Sequence, residues 1–401
     1  MNLLKEGIEK NFVIKTEQTK KMVIDGLTQN LPVYKVKLEL LYYNDQNDRI
    51  ATWISEYKAN NGHDSLKSKT LDDYNKIIEG FIIKSNKDDM IKTQTNIELV
   101  EQREPGVVLS DGRIIDGNRR FTCLRELSKK DNKFGYFETV ILTQNYQDNA
   151  KQIKMLELAL QHGEEQKVDY NVVDRAVGIY NDIEEYRLLS VAEYARSVNL
   201  SISEINKRLD TAKIMVEFLE FINAPKKYFI VRDLQLYYPL DELSKLKNSC
   251  KTDDEFEDLK NAVFSTIIMK PGTDLTRYIR KFKDIIISKY KTEFLEEQNE
   301  LASKVLDALP KQGTNIDFIR NELRTNLELT EEIDRVCHKY LDRVKYSKTR
   351  NQLATAFTKA RKDIEDLDYN IIEILNNAEK EAIIAEISKL EDLLIEVRGY
   401  F

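Results

Sequence analysis

A chain of 401 residues, 41% hydrophobic and 33% charged, has enough apolar material for two or three separate cores. Its net charge of −7 excludes a protein that coats nucleic acid through its overall field, so a DNA contact must come from a local patch. Three Cys and three His are scattered without metal-ligand spacing, and no run approaches the ~20 apolar residues of a membrane span. The odd, sparse cysteine count suggests a reducing cytoplasm, and with charges mixed throughout Met1 to Lys21 the expectation is no leader and no membrane partner. Only 6 Pro and 13 Gly point to a helix-dominated chain.

In order, residues 1–30 read as a helical arm. Residues 31–148 read as a small α+β domain with a mixed sheet. Val33 to Leu38 alternates as a strand, and the polar loop Tyr42 to Arg49 follows it. Ala51 to Lys92 has helical character, interrupted around Asn60 to His63, and Ile97 to Pro105 leads into the centre of the domain. There Val107 to Leu109 and Arg113 to Ile115 form two short strands about the turn Ser110-Asp111-Gly112. Asp116-Gly117-Asn118 is a second turn, with Asn118 placed as the N-cap of a helix that buries Phe121, Leu124 and Leu127. Arg119 and Arg120 then sit in the first turn, where positive side chains oppose the helix dipole. An anion held at the helix start accounts for them; pairing with carboxylates elsewhere in the chain is the alternative. Thr139 to Leu142 closes the sheet as an apolar strand.

From 149 to 235 the pattern becomes helical. Ser190-x-x-Glu193 and Ser201-x-x-Glu204 are two capping boxes eleven residues apart. Ala195, Asn199 and Ile205 fall where a helix-turn-helix places its small residue, its turn and its buried aliphatic. Its second helix would present Ser203, Asn206, Lys207 and Asp210 to a DNA groove, with Arg208 and Lys213 beside them. A helical domain over 236–310 includes a third Thr252 to Glu255 cap and a basic helix from Arg277 to Lys283. Leu309 to Gly313 marks the boundary to 311–401. In that last region Leu353, Phe357, Ala360, Ile364 and Leu367 repeat at 4-3-4-3 spacing, as do Ile383, Ile387, Leu390, Leu394 and Val397. These are seams for another helix, met either within an antiparallel hairpin turning near Asn376-Asn377 or across a homodimer.

The hairpin, IDGNRR and the amphipathic helix together resemble the core of the ParB/sulfiredoxin-like domain, and the helix-turn-helix after it follows the ParB order. The resemblance covers about Leu31 to Ile222. It implies a nucleotide pocket, CTP or another NTP with magnesium. Gly117, Asn118, Arg119 and Arg120 would lie at the phosphates, Asn47 and Arg49 would help from the first loop, and Gln166-Lys167 would echo a Gln-Arg pair of the family. Glu164 would be the metal-side group. Asn118 stands where ParB usually has glutamate, which weighs against hydrolysis more than against binding. Cys123 lies inside the helix instead of in the loop, which disfavours sulfiredoxin chemistry.

Three functions follow as expectations. The first is a DNA-associated protein in which nucleotide acts as a switch or clamp. The second is an enzyme, a metal-dependent nuclease or a kinase of free serine, with Asp116 and one of Glu98, Glu101 or Glu104 as catalytic acids, Glu104 foremost. The third is a regulator in phage defence or on a mobile element that only recruits a partner.

Overall fold

The protein is described by a computed structural model that covers residues 1–24, 27–144, 146–163 and 171–400. It divides into a unit of residues 1–338 and a unit of residues 339–401. The first opens on a five-stranded mixed sheet, and nearly everything after the sheet is helix, so the chain is α+β followed by α.

The sheet contains β1 (Val13–Ile24), β2 (Leu27–Lys37), β3 (Gly106–Leu109), β4 (Ile114–Asp116) and β5 (Tyr136–Leu142), in the order β1-β2-β5-β3-β4. The helical arm expected over 1–30 is therefore a correction: apart from a helical turn at Leu3–Gly7, most of it is strand. Val13, Ile14, Thr16, Thr19, Val23 and Ile24 are β-branched, and their preference for extended backbone outweighs the charge mixture that suggested a helix. Nor does β5 close the sheet. It is the middle strand, antiparallel to β2 (Val36 opposite Phe137) and parallel to β3 (Val107 opposite Val140). The β3–β4 hairpin forms as expected.

Between β2 and β3 lie α1 (Ala51–Asn61), α2 (Leu71–Ser85) and α3 (Lys87–Val100); α4 (Asn118–Ser128) follows β4, and α5 (Tyr146–Gly163) follows β5. Successive strand residues point to opposite faces. On one face Val36, Val108, Ile114, Phe137 and Ile141 pack with residues of α2, α3 and α4. On the other, Val33, Val107, Leu109, Ile115, Val140 and Leu142 pack with Ile153 of α5. Covered on both sides, β3 is buried at all four positions, which is why it reads as an unbroken apolar run.

Next come α6 (Val172–Tyr180), α7 (Val191–Ser197) and α8 (Ile202–Phe221). Leu158, further along α5, joins Ile179, Tyr194, Ala195, Ile205 and Leu209 in a separate core. One helix thus belongs to the sheet's core at Ile153 and to the α7–α8 core at Leu158. The unit continues through α9 (Tyr228–Asp233), α10 (Tyr237–Leu246), α11 (Asp253–Met269), α12 (Leu275–Ile286), α13 (Lys291–Ala308) and the short α14 (Ile316–Phe318). At the start of α11, Thr252 accepts the Glu255 N–H, but the Glu255 carboxylate turns to the Lys251 N–H, so this cap is not reciprocal.

The boundary expected near 310 is also a correction. Asn223 donates from its side chain to the Pro310 carbonyl and accepts the Gly313 N–H on its own carbonyl, while Lys227 Nζ donates to the Thr314 carbonyl. These bonds tie the stretch to the end of α8, and the division falls after His338 instead. In the second unit, the distal part of α15 (Leu327–Glu365) is followed by the turn Tyr369–Ile374 and by α16 (Asn377–Arg398).

Candidate functional site

At the end of β4, Gly117 takes φ +99° and ψ 17°, a left-handed conformation that glycine adopts without strain, and α4 starts with the next residue. The N-cap is therefore Gly117 and not Asn118 as the sequence suggested; with no side chain it leaves the helix start uncapped. Asn118 becomes the first helical residue, and its Oδ1 is buried with no hydrogen-bond partner among the described residues.

The two arginines behave differently. Arg120 turns back onto the protein: its Nη2 lies 2.8 Å from Oδ2 of Asp116 and its Nη1 donates to the Glu104 carbonyl at 2.9 Å. The alternative of pairing within the chain holds for this residue. Arg119 points elsewhere, its Nη1 3.9 Å from Oδ2 of Asp89 on α3. The proposed catalytic acids are both in ion pairs, Asp116 with Arg120 and Glu104 with Lys20 of β1 at 2.8 Å. Among the described residues no three His, Cys, Asp or Glu side chains are arranged to hold a metal. Glu164, Gln166 and Lys167 lie outside the described residues. Cys123 is buried, its thiol is pushed up to about 12 by desolvation, and its Sγ donates to the Met90 carbonyl, so it is no reactive thiolate.

The first loop packs against α4 through Tyr43, whose hydroxyl is 2.8 Å from Thr122 Oγ1 and whose ring stands edge-on to Phe121. Asn47 is buried, and its Oδ1 accepts the Arg49 N–H at 2.9 Å, capping a one-turn helix over Asp48–Ile50. Its amide oxygen serves the turn. Arg49 is close enough to α5 for its charge to act on the Glu157 carboxylate.

That loop carries a group the sequence did not single out. Asp48 Oδ1 accepts from Lys154 Nζ of α5 at 2.8 Å, and the same ammonium lies 3.4 Å from Asp182 and 3.9 Å from Glu157. Three of these four groups are nearly inaccessible: Lys154 is 5% exposed, Glu157 2% and Asp182, in the turn that follows α6, 4%. Burial disfavours the ammonium, but Asp48, then Glu157, then Asp182 outweigh it and hold it well above the usual lysine range. Burial also drives the Glu157 and Asp182 carboxyls up, with Lys154 opposing. Gly178 of α6 makes the close approach possible, since a Cβ there would overlap the Asp48 carboxylate. A Lys-x-x-Glu spacing on the apolar side of α5, between Ile153 and Leu158, was the one available signal.

Lys151, one turn earlier on α5, reaches Glu193 of α7 at 2.6 Å. Both expected capping boxes are present, with Ser190 and Glu193 on α7 and Ser201 and Glu204 on α8. The turn between the helices contains Asn199 at φ +54°, and Ala195 and Ile205 are buried as anticipated. On the outer side of α8, Ser203, Asn206, Lys207 and Asp210 are exposed and Arg208 is half-buried. Lys213 departs from the expected set, because its ammonium is drawn 2.7 Å from Glu184.

No protein-family model and no curated protein matches the chain. Among solved structures it is similar to the C2221 crystal form of a Pnob8-like ParB-N domain, at 13% identity and a TM-score of 0.38, over 71% of this chain and 99% of that one. It is also similar to C-terminally truncated chromosome-partitioning protein ParB from Caulobacter crescentus, complexed to the centromeric parS site. There the identity is 12% and the TM-score 0.28, over 67% of this chain and 98% of that one.

Proposed function

We propose that this chain is a ParB-like, DNA-associated protein that reads DNA with the first turns of α8, and whose α+β domain takes a nucleotide at the Gly117–Arg120 corner. The exposed row of Ser203, Asn206 and Lys207 carries the reading. It lies on a helix whose opposite side, Ile205, Leu209 and Ala212, is buried, behind a tight turn and two reciprocal caps. An outward row of short polar and basic side chains at the start of a firmly seated helix suits a groove. With Lys213 turned to Glu184, the cations left beside that row are Lys207, Arg208 and Arg196. Few phosphates are therefore neutralised, and binding depends only weakly on salt for a DNA-binding protein.

The nucleotide part rests on three features of one corner: an uncapped helix start, Arg119 beside it, and the unpartnered Asn118 oxygen. A phosphate suits the first two. The third accepts a hydrogen bond from an N–H or O–H that the ligand brings. Arg120 then acts by fixing Asp116 and the Glu104 backbone, and Arg119 is the phosphate contact. CTP, with magnesium, is the nucleotide the sequence resemblance implies. The shared helix α5, which contributes to both cores, links the corner's domain to the α7–α8 pair.

Fluorescence anisotropy of duplex DNA libraries at low salt, with and without each nucleotide, tests the whole reading. Saturable binding that Asn206→Ala and Lys207→Ala weaken supports it. No binding to any duplex, or affinity unchanged in both variants, overturns it.

A further inference from the structure

We infer that the helical region after α8 holds an anion site of its own, separate from the Gly117–Arg120 corner, which takes a small phosphomonoester carrying no nucleobase. The end of α10, the start of α11 and the turn between α12 and α13 meet there around a cavity of about 490 Å³. The inference stands on that cavity and does not depend on the DNA or nucleotide reading. Its walls are firmly built. Phe282 of α12 stands edge-on to Phe294 of α13, and both rings are fully buried. Ser288 pins the turn between the two helices, donating to the Ile285 carbonyl and accepting the Tyr290 N–H. A lining held in this way is in place before a ligand arrives.

Charge selects the class of ligand. Lys251, Lys289 and Lys291 line the cavity, in a chain whose net charge is −7. The acid among them, Glu255, is already matched: its carboxylate accepts from Lys291 Nζ at 2.7 Å and from the Lys251 N–H at 2.6 Å. Lys289 lies over the Tyr290 ring, which positions its ammonium without neutralising it. The Lys251 and Lys289 charges are therefore left over, and Ser249 and Thr292 add hydroxyls beside them. Ammonium point charges and hydroxyl donors suit a phosphate, whose oxygens accept from several directions. A carboxylate is better met by the planar fork of arginine, and the described lining contains none. Nor does that lining contain an aromatic ring to stack on a base or a side-chain amide to read one. Ile286 and the 60% exposed Ile287 instead offer an apolar surface to the body of an ester. The volume falls among those of small-molecule sites, about 300–1,000 Å³, and a hollow suits a free ligand better than it suits the backbone of a duplex.

Calorimetry of the full chain at low salt, in a buffer free of phosphate and sulfate, tests this with inorganic phosphate and glycerol 3-phosphate as probes. Both are expected to bind, glycerol 3-phosphate the more tightly, and to go on binding in Arg119→Ala, which separates this site from the corner. Lys251→Ala and Lys289→Ala, both at exposed positions, are each expected to weaken that binding about tenfold while leaving the denaturation midpoint unchanged. No saturable heat with either probe in the Arg119→Ala chain overturns the site, as does affinity unchanged in both lysine variants. If binding of CTP or of duplex DNA weakens in Lys251→Ala as much as that of glycerol 3-phosphate, the assignment to a free ligand without a base is overturned.

Discussion

Lys154 on α5 and Asp48 in the first loop meet at 2.8 Å in a place almost closed to water, and this pair connects the α+β domain to the helices that follow it. Removing the cation strands three carboxylates. Lys154→Met, which keeps the aliphatic stem, is therefore expected to cost about 3–5 kcal/mol in urea denaturation. Asp48→Asn, which leaves two acids for the same ammonium, is expected to cost less.

Acids in this neighbourhood also set a pH dependence. Asp174 of α6 accepts the Thr52 N–H at 2.7 Å and is pushed up to about 7, burial outweighing that hydrogen bond. Glu157 and Asp182 are displaced upward as well, again by burial. Between the unfolded carboxylate range and these raised values the folded chain binds more protons than the unfolded one, so stability falls as pH rises. The contribution is complete below pH ~4 and lost as pH passes through about 7. Lys154, shifted above its usual range, does not titrate in this window. Denaturation midpoints measured from pH 5 to 8 are expected to decline, and Asp174→Asn, which keeps the acceptor oxygen, to flatten part of the slope.

Gly178→Ala places a methyl group into the Asp48 carboxylate. Either the loop or α6 has to move, at a cost of about 1–3 kcal/mol by the usual penalty for overpacking. Denaturation reads the loss, and a combined Gly178→Ala, Asp48→Ala chain is expected to lose less than the sum of the two single changes.

The two arginines of the corner separate by their partners. Arg120→Ala removes two hydrogen bonds and leaves Asp116 unpaired, for an expected loss of about 1–3 kcal/mol in stability. Arg119→Ala is expected to change stability by less than about 1 kcal/mol and to abolish nucleotide binding in calorimetry. Unchanged affinity in folded Arg119→Ala rules out the corner as a phosphate site.

On α8, Ser201→Ala breaks a reciprocal cap and is expected to cost about 1 kcal/mol. Asn206→Ala and Lys207→Ala, both at exposed positions, are expected to stay within about 0.5 kcal/mol of the parent in stability, while anisotropy reports weaker DNA binding.

The features legible in the sequence are those whose causes lie within a few residues. The β3–β4 hairpin follows from one Asp-Gly turn, the buried side of α4 from the spacing of Phe121, Leu124 and Leu127, and the caps of α7 and α8 from Ser and Glu three apart. The N-cap was missed by one residue because two local rules compete there: Asn118 suits a cap, but Gly117 suits the left-handed turn that decides where the helix begins. Long-range pairings were not legible. Nothing near Val36 specifies Phe137 as its partner, and Asp48, Lys154 and Asp182 become a cluster only when three distant segments meet. The break expected near 310 failed for the same reason, since Asn223 and Lys227 hold that turn from afar.

The strand order carries a consequence for how the chain is made. Because β5 lies between β2 and β3, the ribbon of β1 and β2 and the hairpin of β3 and β4 lack the strand that joins them into one sheet until Leu142 has left the ribosome. More than a hundred residues separate Lys37, the end of β2, from Leu142, the end of β5, and in that interval the unpaired edges of β2 and β3 are exposed on the nascent chain as templates for wrong pairing.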